Sequence, residues 1–171
     1  MTPPTERFTI VRSSRSDWQQ FRDLRLRMLA DTPLAFLETL EGAQQVGDDE
    51  WRRRAGGGAD NGTAWFVAVD TSTGTWAGIM GGRIENEAPL LIGVFVDPDS
   101  RGRDVGVTDA LLDAVEDWAR ERGQQLFLHV HEDNPRAIGF YRRRGFTPTG
   151  RRLPYPLPPA GEELELVKSL Q

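Results

Sequence analysis

The chain of 171 residues has no cysteine, and Lys168 is its only lysine. Without cysteine there can be no disulfide, no thiolate metal ligand and no cysteine nucleophile. No apolar run approaches the roughly 20 residues that a membrane span needs, and the first residues carry no apolar segment typical of a secretion signal. These absences predict a cytoplasmic protein with no metal site and no membrane partner.

Positive charge is also in short supply, because the formal net charge is −5 at pH 7. Affinity for nucleic acid comes mainly from neutralising phosphates with Lys and Arg, so this balance argues against a nucleic-acid partner. The mild acidity would instead suit a cationic molecule such as an amine. A chain of this length can bury a good core within one compact domain, and we expect a single domain over residues 1–171.

Hydrophobic patterning predicts strands that alternate with amphipathic helices. Strands are expected at residues 8–11, 65–69, 76–84, 90–96 and 126–131, with a final hairpin formed by 146–147 and 164–167. Helices are expected to follow Ser16–Asp17, to occupy residues 48–55, to run from Val107 to a stop at Gly123, and to span 135–144. The expected apolar stripes are Trp18, Phe21, Leu24 (or the stem of Arg25) and Met28 in the first of these helices, and Val107, Leu111, Val115 and Trp118 in the third. This order predicts a mixed α/β sheet with a helical N-terminal flank.

The most informative segment runs from Leu90 to Phe146. A buried strand ends in Val96-Asp97-Pro98 and is followed by the basic turn Arg101-Gly102-Arg103-Asp104-Val105-Gly106 at the start of a helix. After another strand comes Asn134-Pro135-Arg136-Ala137-Ile138-Gly139-Phe140-Tyr141, which closes on Gly145-Phe146. A basic turn at a helix N-terminus suits an anionic, phosphorylated cofactor, and a downstream tyrosine can donate a proton.

Together these motifs resemble the general-control-related N-acetyltransferase (GNAT) superfamily over residues 90 to 146, roughly a third of the chain. The family's loop pattern is Gln/Arg-x-x-Gly-x-Gly/Ala, and its second signature, Asn-x-x-Ala-x-x-Phe-Tyr-x-x-x-Gly-Phe, is complete from Asn134 to Phe146. The resemblance implies an α/β (α+β) fold with a mixed, mostly antiparallel central sheet of six to seven strands flanked by about four helices. It also implies an acceptor side over residues 1–60, a cofactor-binding core over 63–146 and a C-terminal hairpin over 147–171.

The function implied by the resemblance is N-acetyl transfer from acetyl-CoA to a primary amine, by direct attack in a ternary complex. The acceptor would be a small molecule or a peptide N-terminus, and a homodimer is compatible with such folds. Backbone amides near the end of the central strand would polarise the thioester carbonyl. The residues implied in cofactor binding are Val94, Phe95, Val96, Arg101, Gly102, Arg103, Asp104, Val105, Gly106 and Asn134. The alternative is a CoA-binding module without catalysis, acting as a sensor or partner-binding domain.

Asp104 departs from the family's loop pattern, because it stands where the first glycine belongs. A carboxylate near two phosphates is unfavourable by about 1 kcal/mol for each close, well-solvated pair. Arg101 or Arg103 could neutralise it. The other interpretation is that Asp104 is simply the N-cap of the following helix.

Tyr141 is the candidate general acid, because tyrosine, with an ordinary pKa of about 10, is protonated at neutral pH. The alternative is a core aromatic beside Phe140. For the base, His129 is the leading candidate and His131 lies on the same face of its strand. In relatives that acetylate protein N-termini, a Glu often occupies the place of His129, and histidine exchanges protons near neutral pH. Glu85, with Glu87, is the next candidate for the base.

Overall fold

The strands of the computed structural model, which describes residues 4–33, 36–57, 62–156 and 160–171, form one sheet. They are β1 (Phe8–Arg12), β2 (Thr63–Asp70), β3 (Trp76–Glu85), β4 (Ala88–Val96), β5 (Gln125–His131), β6 (Thr147–Pro154) and β7 (Glu162–Ser169). The helices are α1 (Pro4–Arg7), α2 (Trp18–Asp31), α3 (Leu40–Gln44), α4 (Asp48–Ala55), α5 (Val107–Arg120) and α6 (Pro135–Arg143). Within the described ranges, no helix has both the length and the apolar character needed to cross a lipid bilayer.

The sheet has the strand order β1-β2-β3-β4-β5-β7-β6, and β4 and β5 form its parallel pair among antiparallel neighbours. Helix α5 connects the parallel pair, as parallel strands require a crossover connection. In the described part of the chain, four helices of at least eight residues pack on the sheet, namely α2, α4, α5 and α6. The expected mixed, mostly antiparallel sheet with about four helices is confirmed.

Helix α5 is amphipathic, and its buried stripe is the predicted one. Val107, Leu111, Val115 and Trp118 recur at helical spacing and are buried. They pack on one face of the sheet together with side chains of β5, β7 and α6. Burial of an aliphatic or aromatic side chain contributes about 1.5–3 kcal/mol by removing apolar surface from water. This first core therefore holds α5 and α6 on the same face of the sheet.

A second core lies on the opposite face, beneath α2 and α4. Phe21, Leu24 and Met28 of α2 follow the predicted helical spacing and are buried there. Adjacent residues such as Ile79 and Met80 of β3 join different cores, because successive side chains of a strand point to opposite faces. Helix α4 spans the predicted residues, and its three acidic residues stand in the first turn, where the helix dipole favours negative charge.

Strand β4 contains a bulge at Gly93. The register with β3 shifts at this point, so that Gly93 and Val94 together oppose Met80. Gly93 has a φ of +60°, and a Cβ there would come within 2.5 Å of the Trp65 ring. Both the backbone conformation and the ring therefore require glycine. Beyond the bulge, Val94 packs on the first core, on the side of α5, and Phe95 belongs to the second core, on the side of α2.

A buried carboxylate ties α5 to the C-terminal part of the sheet. Glu116 of α5 accepts a hydrogen bond from Lys168 of β7 at 2.6 Å. Arg144, just after α6, and Arg120 lie within 3.5 and 3.4 Å of the same carboxylate. Buried charges require partners of this kind, so the only lysine of the chain has a structural role.

Candidate active site

Strands β4 and β5 separate partway along their length. Their pairing consists of two residue pairs, the second of which joins Leu91 to Leu128. Strand β4 then continues to Val96 and β5 to His131 as separate strands. Backbone N–H and C=O groups need partners, so the β4 edge that faces this gap can bond an inserted ligand. The gap opens at the carboxyl ends of two parallel strands, where α/β sheets bind ligands.

A cavity of about 430 Å³ lies at this gap, and we call it the gap cavity. It is enclosed by the end of β4, the loop before α5 and one face of α6. The lining residues are Thr32, Phe36, Val94, Phe95, Val96, Arg101, Gly102, Arg103, Thr108, Asp109, Asn134, Arg136, Ala137, Phe140, Tyr141 and Arg143. Seven of the ten predicted cofactor-binding residues are among them, whereas Asp104, Val105 and Gly106 are not. Apolar walls combined with four arginines suit a ligand that is partly apolar and partly anionic.

The loop between β4 and α5 is held in place by Arg101. Its Nε donates to the carbonyl of Val96 at 2.7 Å, and its guanidinium donates to Asp31 of α2 at 2.8 Å. The hydrogen bond from Arg101 holds the pKa of Asp31 below its ordinary value. Arg101 is thus committed to fixing the loop, which leaves Arg103 and the backbone N–H groups to meet a ligand.

The first turn of α5 presents backbone N–H groups toward the loop. Its N-cap residue is Gly106, with a φ of +73°, and no described side chain caps this helix. The alternative that Asp104 is the N-cap is therefore wrong. Asp104 is exposed, and Arg101 pairs with Asp31 instead of neutralising it. Uncapped N–H groups at a helix N-terminus favour binding of phosphate groups.

Helix α6 brings two predicted residues to the gap cavity. The Oδ1 of Asn134 accepts a hydrogen bond from the backbone N–H of Ala137 at 3.2 Å, so Asn134 caps the helix and lines the cavity as well. Tyr141 is buried, with ring centroids 5.5 Å from Phe140 and 5.7 Å from Phe146. Burial raises the pKa of Tyr141 above its ordinary value, so its hydroxyl is protonated across the neutral range. Tyr141 thus belongs to the first core and is also a lining residue of the gap cavity.

His129 is the first residue of β5 beyond the pairing with β4. Its side chain lies on the face opposite Leu128, which packs in the first core. The Nε2 of His129 is 3.1 Å from Oε2 of Glu165, a buried carboxylate on β7 that also accepts from the hydroxyl of Thr149 at 3.0 Å. A carboxylate only accepts hydrogen bonds, so this contact assigns the proton of His129 to Nε2 and leaves Nδ1 as a proton acceptor.

The other candidate bases are His131, Glu85 and Glu87, and, like His129, none of them is among the residues that line the gap cavity. The Nδ1 of His131 accepts a hydrogen bond from the backbone N–H of Asp133 at 3.1 Å, so this nitrogen holds the turn after β5. Glu85 pairs with Ala88 at the tip of the β3–β4 hairpin, whereas Phe95 is seven residues further along β4. At about 3.3 Å per residue this separation is roughly 20 Å. The structure therefore does not bring Glu85 to the gap cavity, and the expectation that it acts there is corrected.

A second cavity of about 450 Å³ lies on the face of the sheet that α2 and α4 cover, and we call it the α2–α4 cavity. Its lining residues are Phe21, Arg25, Leu37, Glu38, Arg53, Arg54, Gly57, Thr63, Trp65, Arg83 and Ile92. It reaches β4 at Ile92, while the gap cavity reaches β4 from Val94 onward. One residue, the bulge glycine Gly93, stands between these positions, so the two cavities approach each other at the bulge.

Glu38 is the carboxylate among the lining residues of the α2–α4 cavity. Burial by itself would raise its pKa, but hydrogen bonds from Arg54 at 2.8 Å and Arg25 at 2.9 Å outweigh burial. The pKa of Glu38 consequently lies below its ordinary value. Glu38 is therefore an ionised anchor for two arginines and is poorly suited to accept a proton from a ligand.

Several lining residues of the gap cavity were missed from the sequence. Arg136 and Arg143 occupy wildcard positions of the motif, and Phe140 is a motif residue that was given no role in binding. Their spacing of four and three nevertheless places them on one face of α6. That periodicity was the available signal. Thr32 and Phe36, which follow α2, carry no comparable signal, because only the tertiary fold brings them to the end of β4.

Comparison with protein families identifies a match to the acetyltransferase (GNAT) family over residues 18–146. Among curated proteins, the chain is 37% identical over 70 residues to peptidyl-lysine N-acetyltransferase YjaB of Escherichia coli, covering 37% of this chain and 44% of that protein. The chain spans less than half the length of the curated relatives it matches.

Solved structures agree on the fold. An acetyltransferase of the GNAT family from Streptococcus pneumoniae superimposes with a TM-score of 0.77 over 96% of this chain and 99% of that chain, at 15% sequence identity. A nourseothricin acetyltransferase has a TM-score of 0.58 and 28% identity, over 66% of this chain and 68% of that chain. The fold is therefore retained across large differences in sequence.

Proposed function

The chain belongs to the GNAT acetyltransferase family, and we propose that it is an N-acetyltransferase that moves the acetyl group of acetyl-CoA to a primary amine. GNAT acetyltransferases use acetyl-CoA as co-substrate. The proposed acceptor is a small-molecule amine or a peptide N-terminus, which attacks directly in a ternary complex. The observation that carries the proposal is the gap between β4 and β5, because the gap cavity there also meets the start of α5 and Tyr141.

The residues of the gap cavity fit acetyl-CoA in charge and polarity. Arg103, Arg136 and Arg143 and the uncapped first turn of α5 suit its phosphate groups. Ala137 and Phe140 provide apolar contact for the pantetheine arm. The open edge of β4 offers backbone groups to the amides of that arm and to the thioester carbonyl, and such fixed donors usually contribute most to catalysis.

Two protons have to move during the transfer. Bound acetyl-CoA supplies an acetyl thioester, and the amine nitrogen loses a proton as the C–N bond forms, while the sulfur gains one as the C–S bond breaks. We assign the first proton to Nδ1 of His129, whose Nε2–H is held by Glu165. We assign the second to the hydroxyl of Tyr141, which burial keeps protonated at neutral pH.

Replacing Tyr141 with phenylalanine tests this proposal. The ring would keep its packing against Phe146, so the fold and the affinity for acetyl-CoA should persist. We expect kcat to fall about 10²–10⁴-fold, the range for loss of a positioned acid. Calorimetric titration with acetyl-CoA and amine-dependent thiol release measure the two effects separately. In the same assay, His129→Gln should also lower kcat.

The matched control is Tyr155→Phe, which removes the other tyrosine hydroxyl of the chain at a position outside the gap-cavity lining. Its kcat should change less than about threefold. Unchanged turnover of Tyr141→Phe would remove Tyr141 as the acid. Tight binding of acetyl-CoA without turnover of any amine would instead support the alternative, a CoA-binding module without catalysis.

A further inference from the structure

Four of the eleven described residues that line the α2–α4 cavity are arginines, and we infer that this cavity selects an acceptor amine that also carries a carboxylate. This inference rests on the proposed function, because it names the acceptor class of that same site. Arg25, Arg53, Arg54 and Arg83 line the cavity, and Glu38 is the carboxylate among the described lining residues. An acceptor with a second positive charge would enter an unfavourable field there.

Carboxylates just outside the lining also contribute to the charge of the α2–α4 cavity. Glu50 pairs with Arg53 and Arg54, and Glu85 pairs with Arg83, from outside the lining. Among the described side chains, these two carboxylates and Glu38 stand against the four guanidinium groups of the lining. The described part of the cavity thus has one more positive than negative charge, although the chain as a whole has a net charge of −5.

The floor of the cavity is apolar. Phe21 of α2 and Trp65 of β2 meet edge to face with ring centroids 5.6 Å apart, and Ile92 of β4 completes this surface. Aromatic and branched side chains of this kind favour an apolar ligand group. The lining thus combines contact for a hydrocarbon or aromatic group with cations at its edge.

Arg83 is an arginine of the lining that can bind a ligand carboxylate. Arg25 and Arg54 both donate to Glu38, and the side chains of Arg25 and Glu38 are less than 20% exposed, so these groups are committed to structure. Arg83 pairs with Glu85 at 3.0 Å, with side chains 47% and 40% exposed. Exposed pairs contribute little, so a ligand carboxylate can replace Glu85. A guanidinium binds a carboxylate through two parallel hydrogen bonds.

The register of the sheet orients such an acceptor. Arg83 lies opposite Leu90, whereas Ile92, beside the bulge, lies opposite Gly81. Two residues along a strand correspond to roughly 7 Å. The amine of a small amino acid can therefore lie toward Gly93 and the gap cavity while its carboxylate lies toward Arg83.

Binding without turnover gives the direct test. Protein saturated with CoA, which has no acetyl group to transfer, is titrated calorimetrically with L-phenylalanine and with L-phenylalaninamide, which lacks the carboxylate. We expect at least tenfold tighter binding of phenylalanine. Arg83→Gln should abolish this preference. The control Arg52→Gln, on the same helix as Arg54 but outside the lining, should retain it, and unchanged affinity for CoA in both variants shows that they are folded.

Turnover gives a second, independent comparison. Acetyl transfer to 5-aminopentanoate is compared with transfer to 1,5-diaminopentane, which replaces the carboxylate by an ammonium group. Equal or better use of the diamine, equal binding of phenylalaninamide, or acetylation confined to peptides would overturn the inference and leave the proposed function standing. If acetyl-CoA binds and no amine is acetylated, the proposed function fails, while the calorimetric preference still decides the inference.

Discussion

The gap cavity and the α2–α4 cavity have similar volumes, about 430 and 450 Å³, but they are built differently. All but two of the residues lining the gap cavity come from residues 94–143, and that cavity borders open backbone at β4 and at the start of α5. The α2–α4 cavity takes its lining from two helices, the segment that follows each of them and three strands, between residues 21 and 92. One cavity follows from a continuous motif, and the other depends on the assembled fold.

This difference explains which functional properties each cavity can retain as sequences diverge. Backbone groups are supplied by any residue that keeps the local conformation, so a cavity built on them tolerates substitution. Side chains such as Arg83 and Trp65 can be replaced one at a time without disturbing the motif. We therefore expect the co-substrate to be common to the family and the acceptor to be particular to this chain.

The largest effect is expected from Gly93→Ala, because Gly93 separates the two cavities. A φ of +60° is unfavourable for alanine by about 1–2 kcal/mol, and overlap with the Trp65 ring adds about 1–3 kcal/mol. We expect the free energy of unfolding, measured by urea denaturation, to fall by about 3 kcal/mol. The affinity for acetyl-CoA and the KM for the amine should both worsen.

Gly139→Ala is the matched control for the bulge. Gly139 lies within α6, and a Cβ there would meet no neighbouring atom within 4 Å. Because alanine favours helix over glycine, this variant should be more stable by about 0.5–1 kcal/mol. If Gly93→Ala worsened only one of the two substrate constants, the bulge would not be shared by the cavities.

The same contrast decides how much could be predicted from the sequence. Strand β4, the stripe of α5 and the motif from Asn134 to Phe146 depend on local periodicity, and the structure has them as expected. The contact between His129 and Glu165 depends on how β5 pairs with β7, 36 residues away along the chain. No local sequence pattern predicts that β5 pairs with β7.

The charge of the acceptor likewise could not be predicted from the composition of the chain. The overall acidity suggested a cationic acceptor, whereas the guanidinium groups of the α2–α4 cavity come from α2, α4 and β3. Composition averages over the whole surface, and only the fold shows which charges meet. The placement of Glu85 at the hairpin tip was likewise a matter of register, since it stands just before β4 in sequence but far along the strand from Phe95.

A smaller effect is expected from Glu38→Gln, which probes the side-chain network of the α2–α4 cavity. Arg54 and Arg25 hold the pKa of Glu38 below the unfolded value of about 4.3. Ionised Glu38 therefore contributes stability above that pH, and the contribution disappears as pH falls through the folded pKa. We expect the variant to be about 1 kcal/mol less stable at pH 7, allowing for solvent screening. The deficit should shrink below about pH 4.

Urea denaturation at a series of pH values measures this difference. Glu121→Gln is the control, because Glu121 is 78% exposed and pairs with Arg122 at the surface. It should show almost no deficit at any pH. A deficit for Glu38→Gln that stayed constant down to pH 3 would mean that its arginine partners do not set the titration of Glu38.

The smallest effect is expected from Asp104→Gly, which restores the glycine of the family's loop pattern. Asp104 is exposed and outside the gap-cavity lining, so its charge should act on bound phosphates only through solvent. Such a charge is worth about 1 kcal/mol or less. Calorimetry should therefore give a Kd for acetyl-CoA no more than about fivefold lower than that of the native chain. If the native chain failed to bind while Asp104→Gly bound tightly, one side chain would control the loop. The gap cavity would then depend on individual side chains as strongly as the α2–α4 cavity does.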